Sequence, residues 1–274
     1  MGTWHVPPPR IASLQPSISL TLAALGRVDL LCAVTKYCIE AMPELAARDL
    51  PVLSDSWSFD KPGNLEELLA AKPDLVIASV PYRMESLAAI LKSGAPVLAL
   101  APNCLADVYK DIRLIAAHAA ADPEPVLSSM QQAIATARAS CAHIAQEDRP
   151  LVYCEEWGKP LIQSQQWVAE LVEAAGGRFL GTPGAKTTPE AVAAAGPDVL
   201  LFAWCGAGDR VPLARVIEQR GWQSLRAVRN RRVHVIPDEF LNTPAPTLVE
   251  GLACIAAALH PSIYAPHVRM VALS

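Results

Sequence analysis

An internal repeat restricts the fold of this chain more than any other feature. The segment NLEELLAAKPDLVIAS at residues 64–79 aligns without gaps on TPEAVAAAGPDVLLFA at residues 188–203. In each copy, a stretch with helical spacing and an acid near its start leads to Pro-Asp and then to an apolar run of strand length. A helix–strand unit that occurs twice in the same order predicts a chain of two similar α/β halves.

Strand and helix patterns alternate in both halves. The strand patterns lie at residues 10–14, 30–35, 74–79, 96–101, 151–156, 198–204 and 231–237. The main helical patterns lie at residues 17–26, 64–72, 84–94, 166–177, 189–196 and 247–260. This alternation predicts an α/β fold of two Rossmann-like lobes with mainly parallel sheets.

A helical stretch between the halves sets the expected domains. From Leu105 to Gln146 there is no strand pattern, and Pro123 and Pro125 separate two helices, the second of which we expect to be one long connecting helix. Open α/β sheets bind ligands at the carboxyl ends of their strands, so we expect a ligand cleft between the lobes. The predicted domains are an N-terminal lobe at 1–104, a helical connector at 105–148 and a C-terminal lobe with a closing helix at 149–274.

Composition and charge exclude several classes of protein. The 274 residues are 52% hydrophobic, which suits two buried cores, and a net charge of -4 offers no basic surface for nucleic acid. Seven scattered cysteines without a C-x-x-C pair favour a reducing compartment over a disulfide framework or a structural zinc site. The motifs G-x-S-x-G, G-x-G-x-x-G and the P-loop are absent, so we do not expect an enzyme.

The start of the sequence favours a cytoplasmic protein. The segment MGTWHVPPPRIASL has no charged region followed by an apolar one, and no uncharged apolar stretch reaches the length that spans a bilayer. A periplasmic location requires a signal segment that lies outside this sequence.

Four segments resemble one known family. PRIASLQPSISLTLAALG, NLEELLAAKPDLVIAS, SQQWVAELVEAAGG and NTPAPTLVEGLACIAAALHP are similar to segments of the cobalamin-type (class III) substrate-binding proteins of ABC importers. That family binds cobalamin, iron-siderophores or haem, and the resemblance runs from Arg10 to Pro261. It implies two lobes bridged by one long helix, which agrees with the pattern above. We expect a monomer that requires no cofactor.

The resemblance also implies a membrane partner. One surface glutamate of each lobe docks onto arginines of an ABC permease in this family, and Glu66 and Glu190 occupy the matching positions. The internal repeat pairs the same two residues independently. Each is also an acid in the first turn of a helix, where the helix dipole favours negative charge.

Candidate ligand contacts lie in loops that follow strands. The resemblance places Tyr37 at a ligand-contacting tyrosine and Trp57 near a cleft tryptophan, whereas Ser79 and Gly184 replace two other tryptophans of the family. That departure argues against a direct transfer of cobalamin as the ligand. Aromatic rings suit the flat faces of a corrin or porphyrin. The expected contacts are Tyr37, Cys38, Trp57, Tyr82, Glu155, Trp157, Trp204, Cys205 and Phe240.

The cysteines leave a second function open. Cys38, Cys154 and Cys205 follow strands and, with a nearby glutamate, would form a metal site; the best pair is Cys154 with Cys205. Free cysteines are more often small buried hydrophobic residues. The first hypothesis is thus an importer's binding protein for a corrinoid, haem or iron-siderophore, and the alternative is a cytoplasmic relative that stores, senses or delivers a metal or cofactor. Thiol catalysis ranks below both, because no histidine is placed as a base.

Four residues have an expected environment. Glu155 and Glu156 are neighbours on a strand and point to opposite faces, so they do not form a catalytic pair; we expect one to face the cleft and the other solvent. Trp222 is expected to pack against a helix. His234, inside a strand, is expected to be a hydrogen-bonded core histidine.

Overall fold

The computed structural model describes residues 8–80 and 82–273. These residues form two compact units. Unit 1 runs to Pro102 and includes Ala106–Leu127, and unit 2 contains Asn103–Leu105 and the chain from Ser128 onward. Across the described ranges, no helix has both the length and the apolar character that crossing a membrane requires.

Unit 1 contains a five-stranded sheet in which all neighbouring strands are parallel. Its order is β3-β2-β1-β4-β5. The strands are β1 (Ile11–Ser13), β2 (Leu31–Thr35), β3 (Val52–Leu53), β4 (Leu75–Ser79) and β5 (Val97–Leu100). The helices are α1 (Pro16–Ala24), α2 (Lys36–Ala41), α3 (Asn64–Ala70), α4 (Met84–Lys92) and α5 (Leu105–His118), with short 3₁₀ turns at Val28–Leu30 and Pro43–Ala47.

Both faces of this sheet are buried. Ile11 and Ile77 pack in one apolar cluster, while Ala12 and Val76, their immediate neighbours on the same strands, pack in a second cluster. Successive side chains of a strand point to opposite faces, so the two clusters lie on opposite sides of the sheet. Burial on both sides explains why these strands are continuous apolar runs.

Unit 2 contains a seven-stranded sheet with a parallel centre and antiparallel edges. Its main order is β12-β11-β10-β6-β7-β9, and β8 pairs with β6. The strands are β6 (Leu151–Gly158), β7 (Leu161–Gln163), β8 (Arg178–Phe179), β9 (Lys186–Thr187), β10 (Val199–Phe202), β11 (Val233–Val235) and β12 (Val271–Ala272). β10 is parallel to β6 and β11, whereas β7, β9 and β12 join in antiparallel fashion.

Seven helices accompany this sheet, the first of which begins in unit 1 and ends in unit 2. They are α6 (Glu124–Ser140), α7 (Gln166–Ala174), α8 (Pro189–Ala195), α9 (Leu213–Gln219), α10 (Arg226–Arg229), α11 (Asp238–Leu241) and α12 (Leu248–Leu259), with a 3₁₀ turn at Gln146–Asp148. α6 lies where the long connecting helix is predicted, and it ends at Ser140, before Gln146.

The Pro-Asp step of the internal repeat has the same role in both units. In unit 1, the Asp74 N–H donates to the Arg10 carbonyl at 2.8 Å, and the Asp74 carboxylate accepts from the Arg10 N–H at 2.8 Å. In unit 2, Asp198 makes the same two bonds with Leu151, each at 2.8 Å. We call each pair of bonds an Asp lock. It joins the starts of two parallel strands, β1 with β4 and β6 with β10, and so fixes their register.

The predicted α/β fold of two Rossmann-like lobes is confirmed. Every strand and main helix expected from the sequence is present, with ends that differ by a few residues. The patterns did not indicate α2, α9, α10, α11 or the short strands β3, β7, β8, β9 and β12. Strands of two or three residues are too short to show a periodicity.

Candidate functional site

The candidate residues lie where the parallel strands of each unit end. In unit 1, they follow β2, β3 and β4, and the residues concerned are Tyr37, Trp57 and Tyr82. In unit 2, they lie at the end of β6 or follow β10 and β11, and the residues concerned are Glu155, Glu156, Trp157, Trp204, Cys205 and Phe240. The carboxyl edge of a parallel sheet is the usual place for a ligand in α/β proteins.

Two aromatic residues form a pair at the carboxyl ends of the strands of unit 1, which we call the edge of the unit. The rings of Tyr37 and Trp57 lie 6.2 Å apart at 63°, in an edge-to-face arrangement, and both side chains are half-buried. The Lys36 ammonium lies 4.9 Å from the centre of the Tyr37 ring. Trp57 is held through its backbone, because its N–H donates to Asp55 Oδ1 at 2.6 Å and its carbonyl accepts from Ser86 Oγ at 2.5 Å. The pair therefore presents an ordered aromatic surface.

A small pocket lies beside this pair. Trp57 and Tyr82 line it together with Gln15 and Ser56. The Gln15 Oε1 accepts from the Ser79 N–H at 2.6 Å. Ser56 Oγ is buried and has no hydrogen-bond partner within the described part of the chain. The pocket thus offers a polar atom to a water molecule or to one group of a ligand.

Cys38 does not belong to this surface. Its side chain is completely buried in the core of unit 1, where its Sγ lies 3.3 Å from Thr35 Oγ1 and 3.8 Å from Ser13 Oγ. The structure therefore corrects the expected ligand contact: Cys38 is a packed core residue, as free cysteines commonly are.

Glu155 is the centre of a buried polar network in unit 2. It is 0% exposed, and its carboxylate accepts four hydrogen bonds. Arg220 donates two of them from Nη1 and Nη2, each at 2.8 Å. Tyr153 Oη donates at 2.5 Å and Trp204 Nε1 at 2.8 Å. A carboxylate accepts about four such bonds, so Glu155 is satisfied within the protein and faces the core instead of a ligand.

The sequence analysis did not identify Arg220 as the partner of Glu155. It lies 65 residues from Glu155 along the chain, directly after α9. The signal was Glu155 itself, because an acid inside an apolar strand requires a cation when it is buried. Burial and the adjacent Glu155 carboxylate raise the pKa of the Tyr153 phenol, so Tyr153 acts as a hydrogen-bond donor.

The same network positions Trp204. The Arg220 guanidinium carbon lies 6.0 Å from the centre of the Trp204 ring and 4.9 Å from that of Trp222. A Cβ atom added to Gly158 would lie 2.5 Å from Cζ2 of Trp204, so only glycine allows this close approach. Trp204 is therefore held by its own hydrogen bond, by Arg220 and by the backbone of β6. Trp222 is fully buried, which confirms its expected packing role.

Glu156 points away from this network. A register shift between Glu155 and Trp157 makes Glu156 the extra residue of a bulge in β6. Its Oε2 accepts from Gln165 Nε2 at 2.6 Å, and its Oε1 lies 3.8 Å from the Cys205 thiol. Burial raises the pKa of this carboxyl group. The side chains of Glu155 and Glu156 therefore point in different directions, as expected. Glu155, however, faces the core and not solvent.

Trp157 and Cys205 are the exposed members of the edge of unit 2. The Trp157 side chain is 45% exposed, with its Nε1 donating to the Lys159 carbonyl at 2.8 Å. Cys205 is exposed beside Glu156. Both remain candidates for ligand contact.

The predicted metal site at Cys154 and Cys205 receives no support from the geometry. Cys154 is completely buried and accepts a hydrogen bond from Ser164 Oγ at 3.2 Å. Burial raises the pKa of the Cys154 thiol to about 12, whereas metals bind the thiolate. Among residues 8–80 and 82–273, no three His, Cys, Asp or Glu side chains are grouped so that they could hold a metal ion.

Phe240 is covered by the C-terminal segment. It is 7% exposed, and its ring packs against His267 at a centroid distance of 5.2 Å. The Arg269 guanidinium carbon lies 5.2 Å from the same ring, and Arg269 also forms a salt bridge with Glu239. The expected ligand contact is therefore corrected, because other side chains of unit 2 occupy the surface of Phe240.

His234 also differs from expectation. It is half-buried in β11, and its Nδ1 has no hydrogen-bond partner among the residues that the structure describes. Burial, assisted by the nearby charge of Arg232, lowers the pKa of His234 to about 4. His234 is therefore a neutral histidine whose polar atom is not satisfied.

Glu66 and Glu190 occupy equivalent positions in the two units. Each is exposed in the first turn of its helix, α3 or α8. Glu66 Oε2 accepts from the Gly63 N–H at 2.7 Å and so caps its own helix. Hydrogen bonding with its own backbone N–H and then with the Thr188 side chain lowers the pKa of Glu190. Both side chains therefore face outward from the first turn of their helices.

Comparisons with known proteins agree with this architecture. A sequence family described as "Periplasmic binding protein" matches residues 11–240. A relative from Bacillus subtilis, the uncharacterized ABC transporter substrate-binding lipoprotein YvrC, is 23% identical over 272 residues, covering 94% of this chain and 82% of that protein.

Solved structures share the fold. The periplasmic vitamin B12 binding protein BtuF of Vibrio cholerae matches with a TM-score of 0.72 and 23% identity, over 93% of this chain and 98% of that one. The periplasmic heme-binding protein RhuT of Roseiflexus sp. RS-1 matches with a TM-score of 0.75 and 23% identity, over 93% of this chain and 99% of that one.

The fold and the edge residues define a two-lobed α/β ligand-binding protein. The chain belongs to the periplasmic binding protein family. The family expected from the resemblance, the substrate-binding proteins of ABC importers, is thereby confirmed, and with it the expectation of a binding protein instead of an enzyme.

Proposed function

We propose that this protein captures a metal chelate of the cobalamin, haem or iron-siderophore class for an ABC importer. The observation that best supports this proposal is the placement of aromatic side chains at the carboxyl edge of each sheet. Tyr37 and Trp57 lie there in unit 1, and Trp157 and Trp204 lie there in unit 2. Flat aromatic rings suit the faces of macrocyclic chelates. The B12 binder BtuF and the haem binder RhuT share the fold and support the same class of ligand.

The alternative of a metal-storing cytoplasmic relative is not favoured. Cys38 and Cys154 are completely buried, and only Cys205 of that set reaches the surface. The similar protein from Bacillus subtilis is a lipoprotein, which supports a location outside the cytoplasm. We therefore propose that the mature protein works on the outer side of the cytoplasmic membrane.

A spectroscopic titration tests the ligand class. Cyanocobalamin, haem and a ferric siderophore are each titrated into the protein while absorbance and the unfolding temperature are recorded. We expect saturable binding of at least one of them, with an increase in unfolding temperature that grows with ligand concentration. Absence of binding by all three would remove the metal-chelate class.

A pair of variants locates the contact surface. Trp57→Ala is expected to weaken binding by about tenfold or more, because it removes a large aromatic surface. Ile263→Ala is the control, since Ile263 is 70% exposed and lies outside the strand edges. Equal effects of the two substitutions would argue against ligand contact by Trp57.

We further propose that Glu66 and Glu190 dock the loaded protein onto the permease. Their exposure in the first turns of equivalent helices supports this role. Glu66→Gln and Glu190→Gln are expected to lower the stimulation of importer ATPase activity in proteoliposomes while ligand affinity stays unchanged. Glu85→Gln is the matched control, because Glu85 is also an exposed first-turn acid. An unaltered stimulation in the double variant would exclude docking by these acids.

A further inference from the structure

One carboxylate at the edge of unit 2 lacks a cationic partner. Glu156 takes part in none of the ion pairs formed by residues 8–80 and 82–273. It accepts one strong hydrogen bond, from the Gln165 amide at 2.6 Å, and a weak thiol donor, Cys205, lies 3.8 Å away. Since a carboxylate accepts about four hydrogen bonds, Glu156 retains free acceptor capacity.

The neighbouring acid shows what a satisfied carboxylate looks like in this protein. Glu155 accepts four hydrogen bonds, two of them from the guanidinium of Arg220, whereas the carboxylate of Glu156 lacks this compensation. The bulge in β6 separates the two and directs Glu156 toward the loop that follows β10, where its carbonyl accepts from the Cys205 N–H at 3.1 Å. Bulges near strand ends commonly redirect a side chain toward a site.

Within the described part of the chain, the charged side chains that contact the loop after β10 form no ion pair with Glu156. Asp238 accepts two backbone hydrogen bonds from the same loop, at 2.9 and 3.0 Å. Arg220 is committed to Glu155, and the Arg210 guanidinium donates to carbonyls of its own loop at 3.1 and 3.2 Å. Burial raises the pKa of both Glu156 and Asp238, as expected for carboxylates without a cation nearby.

We propose that Glu156 determines which chelate the protein accepts. Its unused acceptor capacity receives hydrogen bonds from carboxamide, amine or hydroxyl groups on the rim of the ligand, and its charge repels rim carboxylates. The inference rests on the proposed function, and it assigns the ligand to neutral or cationic chelates with donor-rich rims. A chelate whose rim carries free carboxylates meets like charge at this position.

Matched ligands test the assignment without changing the ring. Dicyanocobinamide, with carboxamides on its rim, is compared with dicyanocobyrinic acid, which carries carboxylates; haem is compared with its propionate diamide. For whichever ring the wild-type protein binds, we expect the amide form to bind more tightly than the carboxylate form. In Glu156→Gln, the ratio of the two dissociation constants is expected to fall by about tenfold, the effect of losing one charge-assisted interaction.

Two controls keep the result specific. Glu173→Gln removes the same charge from an exposed position on α7 and is expected to leave the ratio unchanged. Thermal unfolding of Glu156→Gln is expected to match the wild type, because the replacement has the same shape. If the protein binds these ligands but Glu156→Gln leaves the ratio of the two dissociation constants unchanged, the proposed role of Glu156 is overturned while the ligand class stands. Failure of both rings to bind in either form would overturn the proposed corrinoid or haem ligand itself.

Discussion

Replacing Arg220 by methionine is expected to destabilise unit 2 by about 3–5 kcal/mol. Arg220 supplies two of the four hydrogen bonds to Glu155, and within residues 8–80 and 82–273 it is the only cation that forms a salt bridge with it. Glu155 is 0% exposed, so its carboxylate depends on donors from the protein and not on bulk water. The variant therefore leaves a buried carboxylate with Tyr153 and Trp204 as its remaining donors.

The size of the effect follows from the burial of the pair. The side chains of Arg220 and Glu155 are 9% and 0% exposed, whereas a solvent-exposed ion pair contributes about 0–1 kcal/mol. The contact between Arg220 and the Trp222 ring at 4.9 Å adds about 0.5–2 kcal/mol. Methionine keeps most of the apolar length of arginine, so little of the loss comes from packing.

Urea denaturation followed by tryptophan fluorescence measures this change. Four of the six tryptophans belong to unit 2, namely Trp157, Trp167, Trp204 and Trp222. The signal therefore reports mainly on that unit, and its transition is analysed separately because two-unit proteins need not unfold in one step. Combining Arg220→Met with Glu155→Gln is expected to cost about 2 kcal/mol less than the sum of the single changes.

A control in the same unit makes the test decisive. Arg226 pairs with Asp198 at 2.7 Å, but its side chain is 60% exposed, so Arg226→Met is expected to cost no more than about 1 kcal/mol. If Arg220→Met costs no more than this control, or if the double variant equals the sum of its parts, the buried pair does not support unit 2 as argued.

Three more predictions concern single positions. Gly158→Ala is expected to displace the Trp204 ring, at a cost of about 1–3 kcal/mol, and to shift its fluorescence emission; wild-type emission and midpoint would contradict the close contact. His234→Gln is expected to reduce acid sensitivity. The folded pKa of His234 is about 4 and the unfolded value is 6.5, so the unfolded chain takes up a proton first and stability falls as the pH drops below 6.5. Between pH 6.5 and pH 5 this amounts to about 2 kcal/mol, and urea denaturation at both pH values should show that loss in the wild type but not in the variant. Asp111→Asn is expected to remove a loss of stability that occurs as the pH rises, whereas His234→Gln removes one that occurs as the pH falls. Burial raises the folded pKa of Asp111 to about 6 from 3.8, so the wild type loses about 2–3 kcal/mol as the pH rises through that window. The variant should lack this loss when circular dichroism follows denaturation at pH 4 and pH 7.5, and identical pH profiles would refute the assignment.

The regular elements could be predicted because their signals are local. The helix and strand at residues 64–79 show the acids, the Pro-Asp step and the apolar run within one short segment, and the structure places α3 and β4 there. Tyr37 was accessible in part for the same reason, since it lies two residues after β2, whereas Trp57 came from the family resemblance, because β3 is too short to show a pattern. Local patterns therefore indicated the frame and part of the edge.

Contacts between distant residues could not be read from patterns. The pairing of Glu155 with Arg220 joins positions 65 residues apart, and the sequence only indicated that a buried acid needs some partner. The bulge at Glu156 depends on how β6 pairs with β7, a strand too short to be predicted. Phe240 follows a strand as expected, but the covering residues His267 and Arg269 come from the end of the chain.

The two Asp locks have a consequence for redesign. They join the amino ends of their strands, at Arg10 with Asp74 and at Leu151 with Asp198, opposite to the edge that carries the aromatic residues. Register is thus set where no ligand is expected to bind, and loops at the other end can be exchanged or lengthened without shifting a strand. Grafting edge loops from a binder of another chelate should therefore alter what this scaffold recognises. Each unit should still fold, because its Asp lock keeps the strand register.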